Sequence, residues 1–393
     1  MPRARVVVAP DKLKGTLGAP QAARALARGV ARALPGAEVL ERPVADGGEG
    51  TLAALLAGGG QELVATVEGP LGAPVAARWG RLPDASAVVE TAQAIGLVLV
   101  AGRDPLRASS RGAGQLLRAA LAAGARRVIV GLGGSATVDG GAGLLEALGA
   151  RLLDAQGAPL PPGGGALERL ARIDPGGLVD LRGVELLVAC DVDNPLLGPA
   201  GAASAFGPQK GADPAAVARL EQGLARLVAR LATDLPNAER PAALEALPGA
   251  GAAGGLGAAL AALGGRLVLG AELVLDALGL DAALAGAGLA LTAEGALDGT
   301  TARGKAPWAV LGRARRAGVP CLAVGGRIDP AARATLEGPQ GFAALLALSD
   351  APPEPERASD RELGARVGPL LEAAGERAAR LALARGWVEG GAP

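Results

Sequence analysis

The chain contains no histidine. That absence excludes Ser-His-Asp hydrolysis, phosphohistidine chemistry and His-ligated zinc, and it leaves Asp, Glu, Lys or Cys to move protons. Aromatic residues make up 1% of the sequence and tyrosine is missing altogether, so any core must be built from Ala, Val and Leu. There are two cysteines, Cys190 and Cys321, each in or beside an apolar strand-like run. Two such residues rule out a disulfide framework or a Cys-rich metal site and predict buried, reduced thiols. Neither sign of charge is in excess: Lys plus Arg and Asp plus Glu are both 39, for a formal net charge of zero. That balance argues against nucleic-acid binding, which draws its affinity from neutralising phosphates with a basic surface. No run reaches the ~18 unbroken apolar residues of a membrane span. The short Val6–Ala9 run near the start is too small for a secretory signal. The expectation is a soluble, cytoplasmic protein with neither a nucleic-acid nor a membrane partner.

What is present is ample material for burial. Half of the 393 residues are hydrophobic and 20% are charged, a length and balance that suit two domains. The first segment reads strand, loop, helix. Val6–Ala9 is a buried strand, PDKLKGT turns the chain, Thr16 is placed as an N-cap, and apolar residues from Ala23 to Leu34 follow at helical spacing. Residues 37–44 form the next strand and lead into ADGGEGT and a short helix, the opening of an α/β domain with parallel strands. From Ala65 the grammar changes: TVEGPLGAPVAARWGRL reads as a hairpin, ASAVVETA as a strand, and ARLLDAQGAPL as a second hairpin. Further buried strands are expected at 127–131, 184–190, 288–292, 319–324 and 342–348, with a closing helix from Ser359 to Arg385 and a loop at 352–356. Arg126-Arg127 and Arg315-Arg316 are placed at helix ends, where cations favour the negative end of the helix dipole. The division expected is an α/β domain built from 1–66 and 287–393, with a mixed-sheet α/β domain, 67–286, inserted between them.

Most polar and glycine-rich clusters follow a predicted strand: PDKLKG, ADGGEG, GGSATVDGG, DVDNP and AEGALDG. In open α/β sheets ligands bind beyond the carboxyl ends of strands, so these loops are candidates for one cleft, although turns need Gly, Asp and Asn in any case. Gly131–Gly143 is the phosphate candidate, with Gly133 and Gly134 for close backbone approach, Ser135 and Thr137 as hydroxyl donors, and a helix to follow. Asp191 and Asp193, two apart at a strand end, suit Mg²⁺ or the orientation of a hydroxyl group, with an Asx turn at 193–195 as the plain structural account. Lys210 lies further along as a cation for phosphate. Gly299–Lys305 fits seven positions of a P-loop, but Ala306 stands where Ser or Thr should hold Mg²⁺, and the stretch looks well separated from the 288–292 strand. A true P-loop is rejected, and Lys305 at a helix start remains an anion contact. Near the N-terminus Asp11, Lys12 and Lys14 share the first loop, and Asp46 and Glu49 the second. Lys14 is a candidate for a substrate carboxylate, whereas Lys12 is read as solvent-exposed.

Together these strings resemble the glycerate kinase family of bacterial sugar-acid pathways. The matching pieces are APDKLKGTL, VADGGEGT, GLGGSATVDGGAG, ACDVDNPLLGPAGAA, FGPQKGA, PGAGAAGGLGAAL and the EG..D..T..GK region, in family order from residue 9 past 305. The resemblance implies phosphorylation of D-glycerate by ATP with Mg²⁺, to 2-phosphoglycerate in preference to 3-phosphoglycerate. It also implies two α/β domains, one Rossmann- or flavodoxin-like with a parallel sheet, and an active site in the cleft between them. Lys14, Asp46, Asp139, Asp191, Asp193, Glu294, Asp298 and Lys305 keep the family pattern; Lys12, Leu13, Val138, Ala293 and Thr300 depart from it. The expected roles are Asp191 as base and metal ligand, Asp193 as metal ligand, and Lys14 and Asp46 as catalytic groups. Asp11, Gly133, Gly134, Ser135, Thr137, Asp139, Lys210, Glu294, Asp298 and Lys305 are expected to hold substrate and phosphate. A homodimer is an open option for assembly.

Two other readings stay open: a kinase of another small sugar acid, and a non-catalytic regulator that binds such acids. A dinucleotide oxidoreductase is disfavoured because GLGGSA lacks the last glycine of the GxGxxG spacing.

Overall fold

The structure is a computed structural model and describes residues 4–235, 241–348 and 360–389. In chain order the strands are β1 (Arg5–Val8), β2 (Glu38–Glu41), β3 (Gln61–Glu68), β4 (Pro74–Arg81), β5 (Ala87–Glu90), β6 (Arg127–Gly131), β7 (Arg151–Leu153), β8 (Arg172–Asp174), β9 (Glu185–Ala189), β10 (Arg266–Val268), β11 (Leu289–Leu297), β12 (Cys321–Ile328) and β13 (Ala344–Ala347). The chain divides into two compact units. One comprises Met1–Asp46, Ala53–Gly58 and Ala271–Pro393; the other comprises Gly47–Leu52 and Gly59–Gly270.

The first unit is built on a five-stranded sheet in the order β13-β12-β11-β1-β2, with every pairing parallel. Val6, Val7 and Val8 are wholly buried in its centre, as a strand covered on both faces requires. From β1 the chain winds to β2 on one side; from β11 it winds to β12 and β13 on the other. The winding direction therefore reverses between β1 and β11, which makes their carboxyl ends the topological switch point of the sheet. Helices Ala19–Ala33 and Asp360–Ala384 pack backbone to backbone. A Cβ on Gly29 would fall 1.8 Å from the Glu372 carbonyl oxygen, and one on Gly375 would fall 2.3 Å from that of Leu26. Without aromatic bulk, close approach of two glycine-bearing helices fills the core. Trp308 against Phe342, edge to face with centroids 5.9 Å apart, supplies aromatic packing here.

The second unit carries a six-stranded mixed sheet, β10-β9-β6-β5-β4-β3, parallel from β10 to β5 and antiparallel through β4 and β3. One buried cluster sets Leu116, Leu117, Leu144 and Leu256 beside Val128, Val130 and Val188. A second gathers Leu220, Leu224, Leu227 and Val228 of helix Pro214–Asp234 around Leu145, Leu167 and Leu196. The side chain of Asp213 caps that helix, accepting from the Ala216 N–H at 2.7 Å.

Several local expectations need correction. Thr16 is not an N-cap: its hydroxyl donates to the Leu13 carbonyl inside a turn bridged by Leu13 and Leu17, and Gly18 precedes the helix. ARLLDAQGAPL closes a bridge between Leu153 and Pro159, but the ladder partner of β7 is the later strand β8. Arg127 opens β6 rather than ending a helix and pairs with Glu185 at 3.2 Å, whereas Arg315 and Arg316 do sit in the last turn of Ala306–Arg316. β10 is too short to leave a periodic signal. β11 continues to Leu297, so Glu294 lies within a strand paired through Glu294 and Gly325 with β12. The expected loop at 352–356 lies outside the described residues. Both cysteines are free and buried, and burial pushes the Cys190 thiol up to about 11 and Cys321 higher still.

Candidate functional site

In the first unit, charged groups collect at the switch point. The chain leaves β1 alongside β11, with the Asp11 N–H donating to the Ala293 carbonyl at 2.8 Å. Asp11 is 4% exposed. Burial raises its carboxyl from the ordinary 3.8 to about 7, with Asp46 and Glu294 adding to the rise while Lys12 opposes it. Lys12 is not a solvated side chain. Its Nζ lies 3.4 Å from Asp46 Oδ1 and 3.8 Å from Asp11 Oδ1, so it belongs to this cluster. Lys14 is exposed on the same loop. The loop sits tight against β11, since a Cβ on Gly295 would fall 3.3 Å from the Lys14 nitrogen.

The β11 side adds Glu294, whose Oε1 accepts from Lys305 Nζ at 2.9 Å and whose Oε2 accepts from the Thr301 hydroxyl at 3.3 Å. Burial, the largest effect, raises the Glu294 carboxyl, and Lys305 opposes it. Lys305 is the residue before helix Ala306–Arg316, with Gly304 at a φ of 101° behind it. Because β11 runs to Leu297, the Gly299–Lys305 stretch is not distant from its strand, and separation from the strand does not count against a P-loop. A P-loop is excluded all the same, because Ala306 offers no hydroxyl and a 3₁₀ turn at Thr301–Arg303 fills the loop. The Asp298 carboxylate closes that turn, accepting from the Thr300 hydroxyl and from Thr300 N–H at 2.8 Å, and these bonds, the hydroxyl's above all, hold Asp298 below the usual carboxylate range.

In the second unit, the loop after β6 carries the phosphate-type geometry. The Gly134 carbonyl accepts from Leu97 N–H and the Ala136 N–H donates to Ile95. Among the described residues, the N–H groups of Gly133, Gly134 and Ser135 have no acceptor. They follow one another at a glycine turn, where Gly134 has a φ of 61°. Asp139 lies fully buried behind it. Its Oδ2 accepts from Ser110 N–H (2.7 Å), Ser110 Oγ (2.8 Å) and Gly143 N–H (3.2 Å), and its Oδ1 from Gly141 N–H (3.2 Å). Desolvation raises its carboxyl and these four donors oppose the rise. Asp139 thus holds the loop rather than facing outward. Lys210 is also buried, donating to Ser135 Oγ at 3.0 Å and to the Thr137 carbonyl at 2.8 Å.

After β9, Asp191 and Asp193 are both exposed, and Asp191 Oδ1 accepts from the Gly270 N–H at 3.0 Å. Among the described residues no group of three or more Cys, Asp or Glu side chains is arranged to hold a metal by itself. Two exposed carboxylates are the kind of oxygen donors that a hard ion such as Mg²⁺ takes, since it keeps several waters of its own.

Three contributors leave little mark in the sequence. Glu90, 2% exposed at the end of β5, accepts from Gly50 and Leu52 N–H at 3.1 Å each and so fixes the ADGGEGT loop. A carboxylate ending a buried AVVE run is the available signal. Thr91 Oγ1 donates to the Gly131 carbonyl at 2.9 Å, and Ser110 anchors Asp139; neither carries a local pattern.

In each unit, carboxylates, lysines or loop amides lie beyond the ends of parallel strands, and with no histidine in the chain this is the residue set that phosphoryl transfer in an α/β protein uses. Residues 6–383 match the model of the glycerate kinase family. The chain is 44% identical over 350 residues to the glycerate kinase of Bacillus subtilis (strain 168), covering 88% of this chain and 90% of that protein. It is 43% identical to the glycerate 2-kinase of Escherichia coli (strain K12), with 82% and 85% covered. A crystal structure from Salmonella typhimurium LT2, assigned as glycerate kinase 2, superposes with a TM-score of 0.85 at 40% identity, covering 98% of this chain and all of that one. The chain belongs to the glycerate kinase family, kinases that transfer phosphate to an alcohol group. Among the described residues no helix is long and apolar enough to cross a membrane.

Proposed function

We propose that the chain transfers the γ-phosphoryl group of ATP to the 2-hydroxyl of D-glycerate, giving 2-phosphoglycerate and ADP. The observation that carries this reading is the row of acceptor-free amides at Gly133–Ser135, in a chain of this family. The hydroxyl oxygen forms the new bond to the γ-phosphorus as the bond to the ADP oxygen breaks, and the hydroxyl proton passes to a carboxylate. Asp191 takes that proton in this reading. It lies exposed just after β9, and the Gly270 amide orients it.

Lys14, exposed on the first loop, holds the glycerate carboxylate, and Asp46 orients the acid through Lys12. Asp11 sits behind them, buried, and sets the local charge. Lys305, kept in place by Glu294 and Asp298, meets phosphate, as do the Gly133–Thr137 amides and hydroxyls. Asp139 and Lys210 act on the latter loop from within. Asp191 and Asp193 would hold Mg²⁺, which would offset charge on the phosphate oxygens. On the domain scale, one domain is built from both ends of the chain and the other is inserted between them.

The deciding experiment is ATP turnover with D-glycerate and Mg²⁺, with the product identified by phosphorus NMR. A 2-phosphate product supports the reading. A 3-phosphate product keeps the kinase and changes the hydroxyl that faces Asp191. No turnover by folded protein, followed by activity with a tetronate or another small sugar acid, would reassign the substrate.

A further inference from the structure

Lys210 reads from the sequence as a cation for phosphate, yet its surroundings point inward. The residue is 4% exposed, and two of the three hydrogens of its ammonium group are already committed, to Ser135 Oγ and the Thr137 carbonyl. It ends a short 3₁₀ turn, Pro208–Lys210, that is itself fixed. Arg103 Nη1 donates to the Gln209 carbonyl at 2.7 Å, and Gly211, at a φ of 97°, fits where a Cβ would strike Arg103. The FGPQKGA string is therefore built to deliver one amine to the inner side of the glycine loop.

The opposite support comes from PGAGAAGGLGAAL. Ala253, Gly254 and Gly255 run through the left-handed region, with φ values of 51°, 74° and 93°. A Cβ on Gly254 would lie 1.9 Å from the Thr137 carbonyl oxygen, and the Gly254 carbonyl accepts from Gly140 N–H at 3.0 Å. Thr137 is thus gripped by an amine on one contact and by a bare backbone on another. Its hydroxyl, fully buried, has no partner among the described residues.

Hydrogen-bond chemistry gives the contact with Ser135 a direction. A serine hydroxyl has one proton and two lone pairs. In its ammonium form Lys210 has no acceptor, so Ser135 Oγ accepts from it at 3.0 Å, which leaves the Ser135 proton free to donate elsewhere. A donor backed by a cation is a stronger donor, so the lysine reaches an anion through the serine rather than by touching it. Burial pushes Lys210 down to about 7, and the Asp139 carboxylate opposes that fall.

We infer that Lys210 is a positioning residue for nucleotide phosphate: it fixes Ser135 and Thr137 from inside the loop, turning the Ser135 hydroxyl and the Gly133–Ser135 amides into one outward-facing set of donors. The inference rests on the proposal that this loop meets ATP, and the test separates the two.

Full-length protein carrying Lys210→Met, Ser135→Ala or both is assayed for KM of ATP and for kcat, with thermal melts to establish folding. An interaction made equally in ground and transition state changes KM and spares kcat. Lys210→Met is expected to raise KM for ATP by about 10- to 100-fold with kcat within about threefold, and Ser135→Ala to raise it by about 10-fold. The double variant should match Lys210→Met alone, because the serine's contribution depends on the lysine that positions it. If the two effects multiply, or if kcat falls as far as kcat/KM, Lys210 touches the phosphate directly and the inference is overturned. A raised KM in Ser135→Ala but not in Lys210→Met also overturns it, while leaving the loop as an ATP contact. Unchanged KM in both variants removes the loop from ATP binding, and the inference falls with that reading. Should Lys210→Met not fold, Lys210→Gln, which keeps a donor without the charge, is measured against the same outcomes.

Discussion

Lys305 and Glu294 form an ion pair at 2.9 Å across 11 residues of sequence, joining the start of a helix to the middle of β11. The pairing keeps the ammonium at the carboxyl end of the sheet instead of free in solvent. Both side chains are partly buried, so the contact gives direction to the amine more than stability to the fold. With Lys305 in the phosphate-binding role proposed for it, Lys305→Ala is expected to reduce kcat/KM by about 100- to 1,000-fold. Glu294→Gln should cost less, about 10-fold, because the amine survives but loses its aim. Steady-state kinetics of the two variants, with melting curves that match wild type, check both.

Asp191→Asn should lower kcat by about 100- to 10,000-fold, as expected when a general base is lost. Its Oδ1 contact to Gly270 is retained by the amide, so the fold should be unaffected. Near-normal turnover in the folded variant would remove Asp191 from the base role.

Asp11 predicts a pH dependence of stability. Its carboxyl is raised from 3.8 to about 7 in the folded protein, so between those values the folded state binds more protons than the unfolded one. Stability contributed by this group is therefore present at low pH and lost as pH rises towards 7. Asp11→Asn, which cannot ionise, should melt with wild type near pH 4 and above it at pH 8, by on the order of 1–3 kcal/mol. Thermal melts across that range decide the matter, and a constant difference would refute it.

Arg313 tests a different kind of contact. Its buried guanidinium pairs with Glu272, with Asp276 Oδ1 at 2.6 Å and with Asp281 Oδ2 at 2.6 Å, tying helix Ala306–Arg316 to Gly270–Ala277 and Leu280–Leu284. Arg313→Met leaves three carboxylates without their cation. The expected loss is about 2–4 kcal/mol of stability in urea unfolding, recovered in part at acid pH as the carboxylates protonate.

Gly254→Ala tests the inner face of the glycine loop. The added methyl meets the Thr137 carbonyl at a backbone angle unsuited to L-residues. The variant should lose at least about 2 kcal/mol of stability and, where folded, bind ATP more weakly. Isothermal titration with ATP and a melting curve read both effects.

Much of the fold is legible in the sequence because its strands are short, apolar and closed by glycine or proline. Val6–Val8 and Arg127–Gly131 declare themselves by composition, and the lack of histidine by itself narrows the chemistry to carboxylates, lysines and backbone amides. The strings DVDNPLLGP and GLGGSATVDGG locate the loops, since local sequence suffices where a turn needs its own glycines. What the sequence could not decide is which side chain faces inward. Lys12 reads as solvated and lies in a charge cluster, whereas Lys210 reads as a phosphate ligand and is buried behind a loop. Ser110 carries no local sign of its contact with Asp139, and the carboxylate that ends AVVE does not point to Gly50 as its partner. Those assignments depend on partners 29 to 75 residues away. A charged group's exposure and proton affinity follow from the neighbours that replace its water, and only the tertiary structure brings those neighbours together.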